Sequence, residues 1–188
     1  MPPLTPAVIL AAYRRGLFPM GDPESGALAW YEADPRGIIP LEAAHVPRRL
    51  LRYMKGFEFA VDRDFAGVID GCARPLTWIS EEIRDAYAAL HREGHAHSVE
   101  AYRGGKLAGG LYGVRIGGAF MAESMFHAVS NASGACVVTL VERLRARGFA
   151  LLDIQQVLPS TARFGAVEIP KKEYLRRLAA AVQLDPKW

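Results

Sequence analysis

This sequence contains few cysteines, no long apolar run and only a small excess of positive charge. Its two cysteines, Cys72 and Cys136, are too few and too far apart to suggest a disulfide framework or a zinc knuckle. The five histidines show no spacing typical of metal ligands. We therefore expect two buried, inert thiols and neither a metal nor another cofactor.

No apolar run approaches the roughly 20 residues that a membrane span needs. The opening residues lack a basic stretch before their short apolar run, and they lack a small-residue cleavage signature. With 51% hydrophobic and 23% charged residues, the composition is that of a globular protein rather than a disordered one. We expect the protein to work in the cytoplasm, without a membrane partner.

The 23 basic residues exceed the 20 acidic ones by only three, but they lie in clusters that could contact phosphate groups. The clusters are Arg14 and Arg15; Arg48, Arg49 and Arg52; Arg143, Arg145 and Arg147; and Lys171, Lys172, Arg176 and Arg177. The third cluster lies in the last turn of a predicted helix, where cations also favour the helix dipole. We expect Arg48 and Arg49, just after Pro47, to bind phosphate.

The N-terminal part of the chain predicts a small lobe. Thr5 followed by Pro6 is a helix start, and Gly16 is a stop, so residues 6–15 are predicted to be helical. Turn-forming residues in 21–47 indicate irregular structure and short strands. We therefore assign residues 1–55 to a small N-terminal lobe and 56–188 to a larger catalytic domain.

The larger part predicts an α+β fold with a mainly antiparallel sheet and flanking helices. Ser80 begins a helix that Gly94 ends, and two glycine turns divide residues 97–126 into a three-stranded meander. A helix that Asn131 or Ser130 caps leads to the apolar strand 149–155, and a last helix follows Pro170. A crossover could lay that apolar strand parallel to the third strand of the meander.

Glu123 is conspicuous because it lies among apolar residues in the stretch FMAESMF. An unpaired buried carboxylate would cost on the order of several kcal/mol, so the side chain faces either solvent or a pocket that receives a cation. If the two predicted strands are neighbours, Asp153 and Glu123 can approach each other. Two carboxylates facing one cavity would make an acidic pocket.

Nine stretches in order resemble the leucyl/phenylalanyl-tRNA-protein transferases: AYRRGLFP, ADPRGIIPL, TWI, HREGHAHSVE, GGLYGV, ESMF, NAS, LLDIQ and FGAVEIP. The resemblance covers residues 10–178. It implies an acetyltransferase-like (GNAT-like) fold for the larger domain. It also implies transfer of Leu or Phe from aminoacyl-tRNA to an N-terminal Arg or Lys of a protein, which marks that protein for N-end-rule degradation. Met is a further candidate for the transferred residue.

By this resemblance, Asp153 orients Gln155, whose amide oxygen meets the attacking amine. An amide is a poor base, so we prefer Gln155 as a positioning acceptor, with Asp153 or the tRNA ribose hydroxyl taking the proton. Strand alternation places Gln155 on the same face as Asp153, unlike Gln156. Glu123, with Asp153, would pair with the cationic N-terminal residue of the acceptor.

The aminoacyl group needs a bulky apolar slot, for which the candidates are Leu111, Met121, Met125 and Ile154. Met121 and Ile154 have an equal claim to be plain core. Trp78 matches a family tryptophan that stacks on the terminal adenosine. Met20 stands where the family usually has a second tryptophan, so Trp30 or Tyr31 could substitute.

Two other functions fit parts of the sequence. An acyl-CoA-dependent N-acetyltransferase would share the fold, but HAVSNASGAC is a poor match for a pyrophosphate loop because Gly134 is its only glycine. A non-enzymatic RNA-binding module would explain the basic clusters and Trp78. It would not explain Glu123 and Asp153 on neighbouring strands, since carboxylates repel phosphate.

Overall fold

The structure, a computed structural model, describes residues 4–22, 25, 27–73 and 77–188, which contain seven α-helices, one 3₁₀ helix (Leu41–Ala43) and nine strands. The helices are Pro6–Tyr13 (α1), Arg48–Met54 (α2), Phe65–Cys72 (α3), Glu81–Arg92 (α4), Ala132–Arg147 (α5), Pro159–Ala162 (α6) and Lys171–Ala181 (α7). The strands are Phe18–Gly21 (β1), Leu28–Tyr31 (β2), Arg36–Ile38 (β3), Glu58–Val61 (β4), Ala96–Arg103 (β5), Lys106–Ile116 (β6), Ala119–His127 (β7), Leu151–Gln155 (β8) and Val167–Ile169 (β9).

Seven of the strands form one sheet in the order β4-β5-β6-β7-β8-β3-β9, while β1 and β2 form a separate hairpin. Every neighbouring pair in the large sheet is antiparallel except β7 and β8, which run parallel. The crossover between them is α5, as a parallel connection requires. The prediction of an α+β fold with a mainly antiparallel sheet and flanking helices is confirmed, and so is the parallel placement of the apolar strand.

The helix signals in the sequence act as expected at the ends of three helices. The Thr5 hydroxyl accepts from the Val8 amide at 3.4 Å at the start of α1, and the Ser80 hydroxyl accepts from the Ile83 amide at 3.3 Å at the start of α4. Gly148 ends α5 with φ +77°, a left-handed conformation that favours glycine. Asn131 precedes α5 but makes no side-chain capping bond.

Helices cover both faces of the sheet. One apolar cluster joins one face to residues of α1, α3, α4 and α7, and the other joins the opposite face to residues of α2 and α5. Successive residues on a strand point to opposite faces, so Leu151 belongs to the first cluster and Leu152 to the second. The ends of β7 and β8 therefore lie between two packed layers.

The region between residues 21 and 47 is less separate than the sequence suggested. It contains short strands, as expected, but β3 inserts between β8 and β9 of the large sheet. Residues 23, 24 and 26 of that region lie outside the described residues. The division at residue 55 stays a prediction, with one strand of the large sheet on the N-terminal side of it. The sequence patterns also missed α2, α3, α6, β4 and β9.

Candidate active site

The strands β7 and β8 part at the point where the site forms. Their parallel pairing ends with Met121 opposite Asp153. On the other side of β7, Tyr112 pairs with Ser124 and Gly113 with Ala122, which leaves Glu123 as the extra residue of a β-bulge. Bulges bend a strand and re-aim a side chain. Here the bulge turns Glu123 toward the space that opens between the two strands.

At the end of β8, Gln155 has φ +57°, which is uncommon for a residue other than glycine. Its backbone N–H donates to Asp153 Oδ1 at 2.9 Å. Its side-chain Nε2 donates to Glu123 Oε1 at 3.3 Å. Gln155 therefore links the two carboxylates that the sequence singled out.

Asp153 is fully buried and surrounded by donors within the protein. Arg36 donates from Nε to Oδ1 at 2.9 Å and from Nη2 to Oδ2 at 2.6 Å, and the Tyr174 hydroxyl donates to Oδ2 at 2.8 Å. Burial opposes ionisation of Arg36, but the hydrogen bond and charge of Asp153 outweigh it and raise the Arg36 pKa. Burial, and then the charge of Asp153, raises the pKa of Tyr174. The charge of Asp153 is thus balanced inside the fold.

Glu123 is only partly buried and is held more loosely. The Tyr87 hydroxyl donates to Oε2 at 3.3 Å, and Tyr87 is itself 2.5 Å from the hydroxyl of Tyr13. Glu123 has no ion-pair partner among the described residues. Burial raises its pKa to about 8, with a further contribution from the charge of Asp153 and partial opposition from hydrogen bonds of the two tyrosines and the charge of Arg36.

Two adjoining cavities meet at Glu123 and Gln155. The first, the apolar cavity, has a volume of about 370 Å³ and is lined mainly by Ile39, Leu111, Met125, Val137, Leu140, Leu152 and Ile154. The second, the aromatic cavity, has a volume of about 490 Å³ and is lined by Phe18, Met20, Tyr31 and Trp78, with Asp22 and Glu32 among its polar residues. Six residues line both cavities: Trp78, Glu123, Ile154, Gln155, Gln156 and Leu158.

Most of the predicted site residues meet here. Leu111, Met125 and Ile154 line the apolar cavity, and Met20 and Trp78 line the aromatic cavity. Tyr31 lines the same wall and stacks on Phe18 at 6.5 Å between ring centroids, while Trp30 does not line either cavity. Of the two residues suggested as substitutes for the missing tryptophan, Tyr31 is therefore the one in place.

Two expectations need correction. Met121 is fully buried in the core and does not line the apolar cavity, because the bulge at Glu123 reverses the alternation between Met121 and Met125. Asp153 does not share a cavity with Glu123, because it lies on the opposite face of β8 from Ile154 and is enclosed by its partners. The pocket thus has one of the two carboxylates that the sequence placed in it.

Arg48 and Arg49 begin α2, and both are exposed. They line neither cavity. Sequence reasoning missed Arg36, Tyr174 and the role of Tyr87 beside Glu123. A signal for Arg36 was present, because a carboxylate in the apolar strand LLDIQ needs a cation, and Arg36 precedes the apolar residues of ADPRGIIPL.

The described residues contain no group of three or more His, Cys, Asp or Glu side chains arranged to hold a metal ion. Within the same residues, no helix is long and apolar enough to cross a membrane.

Comparison with known families gives a match over nearly the whole chain. Residues 38–179 match the model of the leucyl/phenylalanyl-tRNA protein transferase family, and residues 3–34 match the model of that family's N-terminal domain.

Three relatives carry the name leucyl/phenylalanyl-tRNA–protein transferase. The protein from Rubrobacter xylanophilus is 55% identical over 97% of both chains. The protein from Salinibacter ruber is 47% identical over 98% of this chain and 83% of its own, and the one from Gloeobacter violaceus is 48% identical over 98% and 97%. A solved structure from Agrobacterium fabrum has a TM-score of 0.42 and 12% identity, and the match covers 98% of this chain and 63% of that chain. Its title describes the C-terminal domain (DUF2156) of a "Putative Lysylphosphatidylglycerol Synthetase".

Proposed function

We propose a function on the premise that this chain belongs to the leucyl/phenylalanyl-tRNA protein transferase family and is therefore an aminoacyltransferase. In this proposal, it moves Leu or Phe from aminoacyl-tRNA to the N-terminal Arg or Lys of acceptor proteins. Met is a further candidate for the transferred residue. The observation that carries the proposal is the meeting of the apolar and aromatic cavities at Glu123 and Gln155. The reaction would take place in the cytoplasm and would mark the acceptor for degradation.

The apolar cavity suits the side chain of the transferred amino acid. Its walls are aliphatic, and at about 370 Å³ it is within the usual range for small ligands. Leu, Phe and Met share a bulky apolar side chain without a branch at Cβ. Met125 is flexible and polarizable, so it can adjust to more than one of these shapes.

The aromatic cavity suits the terminal adenosine of the tRNA. Trp78 is half-buried and lines both cavities, so one face can contact an adenine while the aminoacyl group enters beside it. Stacking of a base on an aromatic ring contributes about 1–3 kcal/mol. Met20 replaces one ring of the family's stack, and Tyr31 supplies an aromatic surface on that side.

Transfer is aminolysis of an activated ester, so the site must mainly hold a neutral amine against the aminoacyl carbonyl. Gln155 lines the junction of the cavities and can orient that amine through its amide oxygen, while its Nε2 is bonded to Glu123. Asp153 already accepts from Arg36, Tyr174 and Gln155 and has no access to a cavity. Its enclosure supports an orienting role and favours the ribose hydroxyl as the proton acceptor.

Glu123 suits the cationic N-terminal residue of the acceptor. Its raised pKa means that the empty site holds much of it in the neutral form at pH 7. An arriving guanidinium or ammonium would lower that pKa and stabilise the carboxylate. A neutral acceptor would bring no such compensation, which is the basis for selecting Arg or Lys.

The surface of α2 suits the phosphates of the tRNA. Arg48, Arg49 and Arg52 are exposed, as is Lys55 just after the helix, and none of them forms an ion pair within the described residues. In contrast, Lys171, Arg176 and Arg177 bind acidic side chains within the protein. Unpaired cations are the ones available to neutralise phosphate.

The acetyltransferase-like description of residues 56–188, with a small lobe in 1–55, belongs to the same proposal. Its support is the separation of two parallel strands around the cavities, next to an antiparallel meander.

The test is transfer of radiolabelled leucine from leucyl-tRNA to a protein that begins with Arg. We expect label in the protein, none when its N-terminus is acetylated, and none when labelled free leucine replaces the charged tRNA. Absence of label together with acetyl transfer from acetyl-CoA would instead identify an N-acetyltransferase. Binding of tRNA without either transfer would identify an RNA-binding module.

A further inference from the structure

The stretch ADPRGIIPL contains β3, which lies antiparallel beside the strand that ends in Gln155. We propose that Arg36 and Gly37 of β3 are positioning residues for the transfer reaction, which fix Gln155 without touching either substrate. The expected loss of transfer rate rests on the proposed function. The fixed position of Gln155 rests on the geometry alone.

Arg36 supplies the first contact, through Asp153. Its guanidinium lies 4.8 Å from the centroid of the Phe18 ring and 4.5 Å from that of the Tyr174 ring, and Nη1 donates to the Gly16 carbonyl at 3.0 Å. The fork toward Asp153 is bidentate, so it fixes the orientation of the carboxylate as well as its charge. Asp153 Oδ1 in turn accepts the backbone N–H of Gln155.

Gly37 supplies the second contact, directly with the turn that carries Gln155. Gly37 pairs with Gln155 in the sheet, and a Cβ at position 37 would lie 2.7 Å from the Gln156 carbonyl carbon and 2.9 Å from the Val157 nitrogen. These are backbone atoms, so they cannot swing aside. Because Gly37 has no side chain, β3 can pack directly against the backbone of the turn.

The two contacts act on a residue that needs them. Gln155 is in the left-handed region, which typically costs about 1 kcal/mol or more and persists only when surrounding contacts hold it. The following Gln156 N–H donates to the Ile154 carbonyl at 2.6 Å, so the chain reverses sharply here. If either contact weakened, Gln155 would relax toward an ordinary strand conformation and its amide would leave the junction of the cavities.

The experiment compares Gly37→Ala with Gly110→Ala. A Cβ at Gly110 would also meet a neighbour at 2.7 Å, Val68, so both variants crowd the same sheet. Its three nearest atoms would belong to Val68 and Val99, however, and not to the Gln155 turn. We expect both to lower Tm. At a temperature where both are folded, Gly37→Ala should lose at least about tenfold in kcat, with KM values for leucyl-tRNA and acceptor within about twofold. Gly110→Ala should keep the wild-type kcat.

A second readout does not depend on transfer. The side-chain amide resonances of Gln155 in an ¹H–¹⁵N spectrum should move in Gly37→Ala and in Arg36→Lys, and should stay in place in Gly110→Ala. Arg36→Lys keeps the charge but loses the bidentate fork, so its kcat should also fall. The inference is overturned if the Gln155 resonances are unchanged in Gly37→Ala and Arg36→Lys, or if kcat falls equally in both glycine variants. A wild-type protein that transfers nothing would contradict the proposed function, and the resonances would still decide the positioning role.

Discussion

Asp153 and Glu123 are carboxylates on neighbouring strands, yet the fold treats them in opposite ways. Asp153 is 0% exposed and accepts from Arg36, Tyr174 and the Gln155 backbone. Glu123 is partly exposed, accepts hydrogen bonds of 3.3 Å from Tyr87 and Gln155, and forms no ion pair among the described residues. Asp153 therefore belongs to a completed ion pair. Glu123 has no such partner, and burial raises its pKa.

The difference separates structural from substrate-facing charge. A buried carboxylate whose partners are all supplied by the protein has no capacity left for a ligand. A carboxylate that lines a cavity and has only weak partners can gain a stronger one when a cation binds. The same cost of burying charge therefore assigns Asp153 to the support of Gln155 and Glu123 to the recognition of the acceptor.

The largest expected effect is on stability, from removing the cation that balances Asp153. Arg36→Met would leave a buried carboxylate without its ion pair, which typically costs about 3–5 kcal/mol. Chemical denaturation should show this loss in the free energy of unfolding. The matched control is Arg84→Met, which breaks an exposed ion pair with Asp70 and should cost about 1 kcal/mol or less. A comparable small loss in both variants would mean that the Arg36 pair is not a structural one.

Next is the rate effect of neutralising Asp153 itself. Asp153→Asn keeps the size of the side chain but removes the charge that holds Arg36, so Gln155 should lose its fixed position. We expect the transfer rate at saturating substrates to fall by at least about tenfold. Asp185→Asn changes an exposed side chain that pairs with Arg115, and it should leave the rate unchanged. An unaltered rate in Asp153→Asn would remove Asp153 from the account of the reaction.

A substitution at Trp78 tests whether the aromatic cavity binds the terminal adenosine. Trp78→Ala should weaken binding of aminoacyl-adenosine by about 1–3 kcal/mol if the ring stacks on the base. Trp30 is also half-buried against the same core but lines neither cavity, so Trp30→Ala controls for lost packing. Binding titrations and thermal melts of both variants separate the two effects. Equal weakening of binding in both would argue against stacking on Trp78.

A pH dependence of stability is a further expected effect, and it comes from Glu123. Its folded-state pKa of about 8 lies above the value of about 4.3 that is usual in an unfolded chain. The folded state therefore binds this proton more tightly, and the resulting stabilisation is complete below about pH 4 and is lost as pH rises through about 8. Wild type should lose stability relative to Glu123→Gln as the pH rises from 5 to 9. A difference between the two proteins that does not change with pH would contradict the raised pKa.

Local patterns were sufficient to predict much of the fold. The glycine turns at Gly104–Gly105 and Gly117–Gly118 divide the meander as expected, and Gly104, Gly105 and Gly117 have the positive φ that favours glycine. The apolar strand Leu151–Gln155 and the helix before it gave the parallel crossover. These features depend on residues near each other in sequence, which is why the sequence alone predicts them.

The parts of the site that escaped prediction depend on distant pairings and on irregular backbone. Arg36 and Asp153 are 117 residues apart, and nothing local to either residue encodes their contact. The bulge at Glu123 and the left-handed Gln155 each break strand alternation, so Met121 was placed in the cavity and Asp153 beside Glu123. The sequence identified the chemical groups of the site more reliably than the directions in which they point.

The central claim is that Glu123 reads the charge of the acceptor, and Glu123→Gln tests it most directly. Transfer from leucyl-tRNA would be measured for peptides that begin with Arg or with Gln, on wild type, on Glu123→Gln and on Glu32→Gln, whose side chain lines the aromatic cavity but is paired with Lys171. We predict that Glu123→Gln raises KM for the Arg-starting peptide, leaves KM for leucyl-tRNA nearly unchanged and affects the Gln-starting peptide less. Glu32→Gln should preserve the wild-type preference. Equal losses for both peptides in Glu123→Gln would contradict the claim and would place Glu123 in the support of the fold or of the reaction centre.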